Sequence, residues 1–126
     1  MPVSFDMPEK SPTFDANALA KLRELDPEGS ENLLDNILRS FLDTVPADIE
    51  SMQAALLRQD GAALRMTAHS IKSSSAYLGA LRLSDLCKEL ELLSQEPRLE
   101  AAKTVLAELQ AEFARVVPTL RMLIQA

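Results

Sequence analysis

Apolar residues in this chain recur at helical spacing over long stretches separated by short turn-forming sequences, and that pattern constrains the fold more than any other feature. Over residues 30–59 the stripe is Leu34, Leu38, Phe41, Leu42, Val45, Ile49, Met52 and Leu56. Ser30 is suited to cap this helix. Pro46 lies inside it and, lacking an N–H, is expected to kink a single helix. Asp60 and Gly61 close it in a tight turn, so the next helix must return antiparallel beside it. That helix carries Leu64, Ala68, Ile71, Ser75 and Leu78 on one line and is stopped by Gly79. A fourth stripe, Leu83, Leu86, Cys87, Leu90 and Leu93, ends near Gln95. Pro97 then suits the first turn of a long last helix, whose stripe is Leu99, Ala102, Leu106, Leu109, Phe113, Val116, Leu120 and Ile124, with a bend expected at Pro118.

Four long helices joined by short turns predict an all-α, up-down-up-down antiparallel four-helix bundle. Ahead of them, Asp15 can cap a short helix bearing Leu19, Leu22 and Leu25, which ends before Asp26 and Pro27 and is expected to lie across one end of the bundle. Residues 1–14 hold Pro2, Pro8 and Pro12 among mixed charges without a sustained period, and read as a flexible tail. The bundle domain is thus expected over residues 15–126.

Composition agrees with this class. Aromatic residues make up only 4% of the chain and there are 3 glycines, against 47% apolar residues. The net charge of −6 argues against nucleic-acid binding, which uses clustered Lys and Arg. A single cysteine, Cys87, cannot form an internal disulfide, and its place on an apolar stripe predicts a buried, reduced thiol, which fits the cytoplasm. No apolar run of the length of a membrane span and no secretory leader is read, so no membrane insertion is expected.

The candidate chemistry sits in residues 62–80, which contain His69, the only histidine of the chain. His69 is not on the apolar stripe. At helical period it lies roughly 140° from the stripe centre, on an outer face with Ala62, Arg65, Ser73 and Ala76, and with Lys72 at its edge. The ring should therefore be wet and reachable by another protein. A lone histidine on a helix is ordinarily a solvated surface residue, so the local wording has to decide. One histidine and one cysteine cannot make an ordinary zinc site, and no metal is expected. Without a glycine-rich phosphate loop, the chain is not expected to phosphorylate itself from ATP.

The run Ala68, His69, Ser70, Ile71, Lys72, Ser73, Ser74, Ser75, Ala76, followed by Leu78 and Gly79 and then by Leu86, Cys87, Leu90 and Glu91, resembles the histidine-containing phosphotransfer (HPt) family. That family places a lysine three residues after the histidine, then a small residue, a hydroxylic run and a Leu-Gly that closes the helix. Ser73 departs from the glycine often found after the lysine. The resemblance implies that His69 accepts a phosphoryl group through Nε2 from a receiver-domain aspartate and passes it to another, as a phosphocarrier rather than a turnover enzyme. It implies that Lys72 and Ser73 support the phosphoryl group. The partners implied are response-regulator receiver domains and a hybrid sensor histidine kinase, with Mg²⁺ carried by the receiver and no cofactor on this chain, which is expected to be a monomer. Candidate partner contacts are Arg65, Met66, Ser70, Ala76 and Tyr77 on the histidine helix, Ile37, Ser40 and Thr44 on the preceding one, and Glu91. The alternative is a helical docking module that binds a receiver or kinase without carrying phosphate.

Overall fold

The computed structural model describes residues 12–24, 32–95 and 98–124. Among them the chain forms α1 (Ala16–Glu24), α2 (Leu33–Leu57), α3 (Gly61–Leu78), α4 (Leu81–Leu92) and α5 (Leu99–Leu123). Each of the four longer helices exposes one polar face and buries one apolar stripe, so all four can satisfy their stripes at once only by closing around a shared core. They do so in ring order: α2 packs on α3, α3 on α4, α4 on α5 and α5 back on α2. Leu38, Met52, Leu64, Ile71, Leu83, Leu86, Leu90, Leu109 and Leu120 are all buried at the centre. Each such side chain contributes about 1.5–3 kcal/mol relative to exposure. Phe41 of α2 and Phe113 of α5 add a tilted ring contact with centroids 6.1 Å apart. No helix among the described residues is long and apolar enough to cross a membrane.

The helix ends depart from the expected ones at several places. Asn32, in the left-handed region at φ 55°, precedes α2, so the helix starts later than a Ser30 cap would place it; Ser30 itself lies outside the described residues. The α2–α3 turn puts its positive φ on Gln59 and not on Gly61. Asp60 instead caps α3, accepting a hydrogen bond from Ala63 N at 3.0 Å, and Gly61 is the first helical residue. A glycine is needed there for space: a Cβ would run into the backbone carbonyl of Ser94. Gly79 does end α3 as expected, at φ 80°, with its N–H donating to Ala76 O and that of Ala80 to Ser75 O. α4 ends at Leu92, short of Gln95, and α5 begins at Leu99 after Arg98; Pro97 lies outside the described residues. α2 and α5 continue through Pro46 and Pro118, both exposed.

Asp15 accepts from Asn17 N at 3.0 Å and so caps α1. Residues 12–14, assigned from sequence to the tail, touch the bundle: Arg82 N donates to Pro12 O at 3.1 Å, and Phe14 packs against the core. Asp15 N in turn donates to Gly79 O at 2.7 Å, which fastens the start of α1 to the α3–α4 turn. Residues 1–11 and Leu25, and the side chains of Leu19 and Leu22, lie outside what is described. Periodicity also missed Glu112, which is buried on α5 and, among the described residues, has Arg115 Nη1, at 2.8 Å, as its one hydrogen-bond partner.

Candidate functional site

α3 separates a scaffold face from a chemical face. Leu64, Ala68, Ile71, Ser75 and Leu78 are all buried, which turns the opposite side outward. There the His69 side chain is 64% exposed. Arg65, Met66, Ser70, Ser73, Ser74, Ala76 and Tyr77 are exposed around it. α3 and α4 are held side by side by Leu64, Ile71, Leu83 and Leu90 of the core, and by Ser84 Oγ donating to the Lys72 carbonyl at 3.2 Å.

That pairing carries Glu91 of α4 to the histidine. His69 Nδ1 lies 2.8 Å from Glu91 Oε2, and Lys72 Nζ lies 2.6 Å from Glu91 Oε1. A carboxylate can only accept, so Nδ1 is assigned the proton and donates it, which leaves the lone pair of the neutral ring on Nε2. Glu91 is 17% exposed. Burial pushes its carboxyl upward, but hydrogen bonds from Lys72 and His69 outweigh that and hold it below the ordinary glutamate value. The cluster is therefore an ionised carboxylate that orients an outward-facing imidazole. Glu91 was expected among the partner contacts; within the chain both of its oxygens are engaged, one by His69 and one by Lys72. Lys72, expected to meet a phosphoryl group, has its ammonium on the same carboxylate. Cys87, one turn before Glu91, is buried and free, and burial followed by the nearby Glu91 charge pushes its thiol up to about 12, with Lys72 opposing. It is an inert core residue.

One concavity borders the ring and another lies on the α2 side of α3. A small one of about 280 Å³ is bounded by Arg65, Met66, His69 and Glu91. A larger groove of about 390 Å³ runs between α2 and α3 and brings together Ile37, Ser40 and Thr44 with Ser70, Ser74 and Tyr77. The same groove holds Asp48, which sequence reading did not single out and whose carboxyl is raised by burial. Ser73 and Ala76 are exposed and line neither concavity. Glu91 was legible from the family wording as a contact residue, but its bond to Nδ1 was not, since its position one past Leu90 on α4 does not by itself place it beside His69. Among the described residues no cluster of three or more His, Cys, Asp or Glu side chains could hold a metal ion.

The antiparallel helical bundle thus presents, from the middle of α3, one exposed imidazole hydrogen-bonded to a carboxylate of α4. The chain matches the Hpt domain family over residues 36–118 and belongs to that family. It is 32% identical to histidine-containing phosphotransfer protein B of Pseudomonas aeruginosa, whose crystal structure superposes with a TM-score of 0.81 over 92% of this chain and 97% of that one. A histidine-containing phosphotransfer protein of Medicago truncatula shares the fold, with a TM-score of 0.76 at 24% identity over 88% of this chain and 76% of that one. The phosphorelay intermediate protein rdeA of Dictyostelium discoideum is 29% identical over 112 residues, which cover 89% of this chain and 42% of that protein. The chain thus spans about two fifths of the length of that curated relative.

Proposed function

We propose that this protein is a phosphorelay intermediate that accepts a phosphoryl group on His69 Nε2 from the phosphoaspartate of one receiver domain and donates it to the aspartate of another. The observation that supports this reading best is the 2.8 Å contact between His69 Nδ1 and Glu91, which keeps the proton on the inner nitrogen and the lone pair on the outer one. In the forward step the Nε2 lone pair attacks phosphorus, the P–O bond to the donor aspartate breaks, and that aspartate leaves as a carboxylate. The second step reverses these roles with a new aspartate. The Nδ1 proton remains in the hydrogen bond to Glu91 throughout, so the chain needs no other acid or base.

Receiver domains, one of them on a hybrid sensor histidine kinase, are the partners in this reading, and they supply the Mg²⁺ and most of the charge stabilisation. Ser73, one turn beyond His69, leaves space for the receiver and can offer a hydroxyl to the phosphoryl group. Arg65 and Met66 on one side, and Ile37, Ser40, Thr44, Ser70, Ala76 and Tyr77 on the other, make up the docking surface. The protein acts as a monomer in the cytoplasm and carries phosphate without autokinase activity.

The test is incubation with a receiver charged from a radiolabelled small-molecule phosphodonor. Label should appear on the wild-type chain, acid-labile and alkali-stable as a phosphohistidine is, and should be absent from His69→Gln with helix content and melting unchanged. Labelling of His69→Gln would refute the assignment.

A further inference from the structure

A third concavity, of about 420 Å³, lies where α4 meets α5 and shares no residue with either of those on α3. It is lined by Arg82 and Leu86 of α4, by Glu108, Glu112 and Arg115 of α5, and by Thr13 ahead of α1. Glu112 is the residue there that the core does not account for. It stands between Leu109 and Val116 on the buried stripe of α5, with its side chain 3% exposed. A carboxylate removed from water needs donors for both of its oxygens. Here Oε1 takes Arg115 Nη1 at 2.8 Å, and Oε2, which is also buried, has no hydrogen-bond partner among the described residues. Even the one donor is loosely held, since the Arg115 side chain is 65% exposed. We infer that this concavity binds a small zwitterion of amino-acid or dipeptide size, whose ammonium or guanidinium donates to Glu112 and whose carboxylate is met by Arg82.

The charges of the lining select that class. Glu108 and Glu112 are one turn apart on α5, so the two acids share one side of that helix. Arg82 comes from α4, is half-buried and makes no ion pair among the described residues. Its main-chain N–H donates to Pro12 O at 3.1 Å, which fixes the backbone of that wall. With two acids and two arginines in one space, a lone cation is opposed by the arginines and a lone anion by the carboxylates. A molecule carrying both signs satisfies each. For a donor to reach Oε2, the side chain that has to move is the exposed Arg115, whose guanidinium then remains at the rim to meet an anionic group. The volume lies in the lower part of the range of small-molecule sites, roughly 300–1,000 Å³. A protein side chain inserted here would bring a guanidinium or ammonium without the carboxylate and leave Arg82 unused.

The inference is independent of the chemistry at His69 and is tested on the full chain without phosphate. In ¹⁵N-labelled protein, glycine, L-lysine, L-arginine and glycylglycine serve as probes. At least one should shift the amides of Arg82, Leu86, Glu108 and Arg115 saturably, leave those around His69 unmoved, and raise Tm with its concentration. Amidating the carboxylate of that probe, as in L-argininamide for L-arginine, should weaken binding about tenfold, and so should Glu112→Gln and Arg82→Met. Ala111→Trp fills the same concavity from an exposed position without removing a charge. It should abolish the shifts while melting normally, which keeps the comparison intact should Glu112→Gln or Arg82→Met melt early. The absence of a saturable shift with all four probes, or undiminished binding in Glu112→Gln and Ala111→Trp, would overturn the inference. Binding indifferent to the probe's carboxylate would overturn it too, and would mark the concavity as one that receives a partner's cationic side chain.

Discussion

Replacing Ser75 with alanine should make the protein more stable, although Ser75 lies in the helix that carries His69. Its hydroxyl is fully buried and has no hydrogen-bond partner among the described residues. Leaving such a group unsatisfied costs about 1–3 kcal/mol, all of which is recovered when the oxygen is removed. Alanine adds about 0.5 kcal/mol through its higher helix propensity. Against this stands the loss of the van der Waals contacts of one oxygen atom, at about 0.1–0.2 kcal/mol for each atom pair and under about 1 kcal/mol in total. The net gain should be about 1–2.5 kcal/mol, which for a domain of this size raises Tm by roughly 4–10 °C. Urea titration followed by far-UV circular dichroism would measure it as a higher midpoint at unchanged slope. Phosphoryl transfer should not change, because Ser75 points into the core and away from the ring. A neutral or destabilising result would refute the reasoning, for it would mean that the hydroxyl finds a partner in solution.

Four further substitutions separate site from scaffold. Ser73→Trp should melt normally, since Ser73 is exposed, yet block receiver-dependent transfer by occupying the approach to His69, whereas Ser75→Trp should lower stability by roughly 1–3 kcal/mol through overpacking; denaturation and labelling of both variants would check this. Gly61→Ala, ordinarily worth about 1 kcal/mol of added helix stability, should instead destabilise by about 1–3 kcal/mol, because the new methyl meets the Ser94 carbonyl; a raised urea midpoint would contradict it. Glu91 has a folded-state value held below the ordinary 4.5, so its contribution to stability is present above pH 4.5 and is lost as the pH falls through the lower folded-state value. Glu91→Gln should therefore show a shallower loss of stability below about pH 4.5 than the wild type, and parallel acid-unfolding curves would count against the ion cluster.

Much of the molecule is legible in the order of its residues, and for a simple reason. An α-helix repeats every 3.6 residues, so the spacing of Leu64, Ala68, Ile71, Ser75 and Leu78 determines which face of α3 turns inward, and by the same rotation that His69 turns outward. All five stripe residues are buried and the ring is exposed, as that spacing requires. The wording around His69 went further and named a family, which the match over residues 36–118 bears out. Helix ends were less legible. α2 starts after Asn32 in the left-handed region, which spacing alone does not show, and Gly61 opens α3 where the carbonyl of Ser94 leaves no room for a Cβ.

What only the tertiary structure decided is which side chains from different helices meet. Periodicity sets the azimuth of each residue about its own axis, but says nothing of the depth at which two neighbouring helices are aligned. Glu91 lies 22 residues from His69 along the chain, and its reach to Nδ1 exists because core leucines seat α4 against α3 at one axial offset. Displaced by one turn, about 5.4 Å, the same two helices with the same two stripes would leave the imidazole without its carboxylate. Lys72 likewise read from sequence as a charge at the edge of an exposed face, and became half of a shared carboxylate clamp only once α4 was in place. The histidine belongs to the sequence; the proton on its inner nitrogen belongs to the packing of one helix on another.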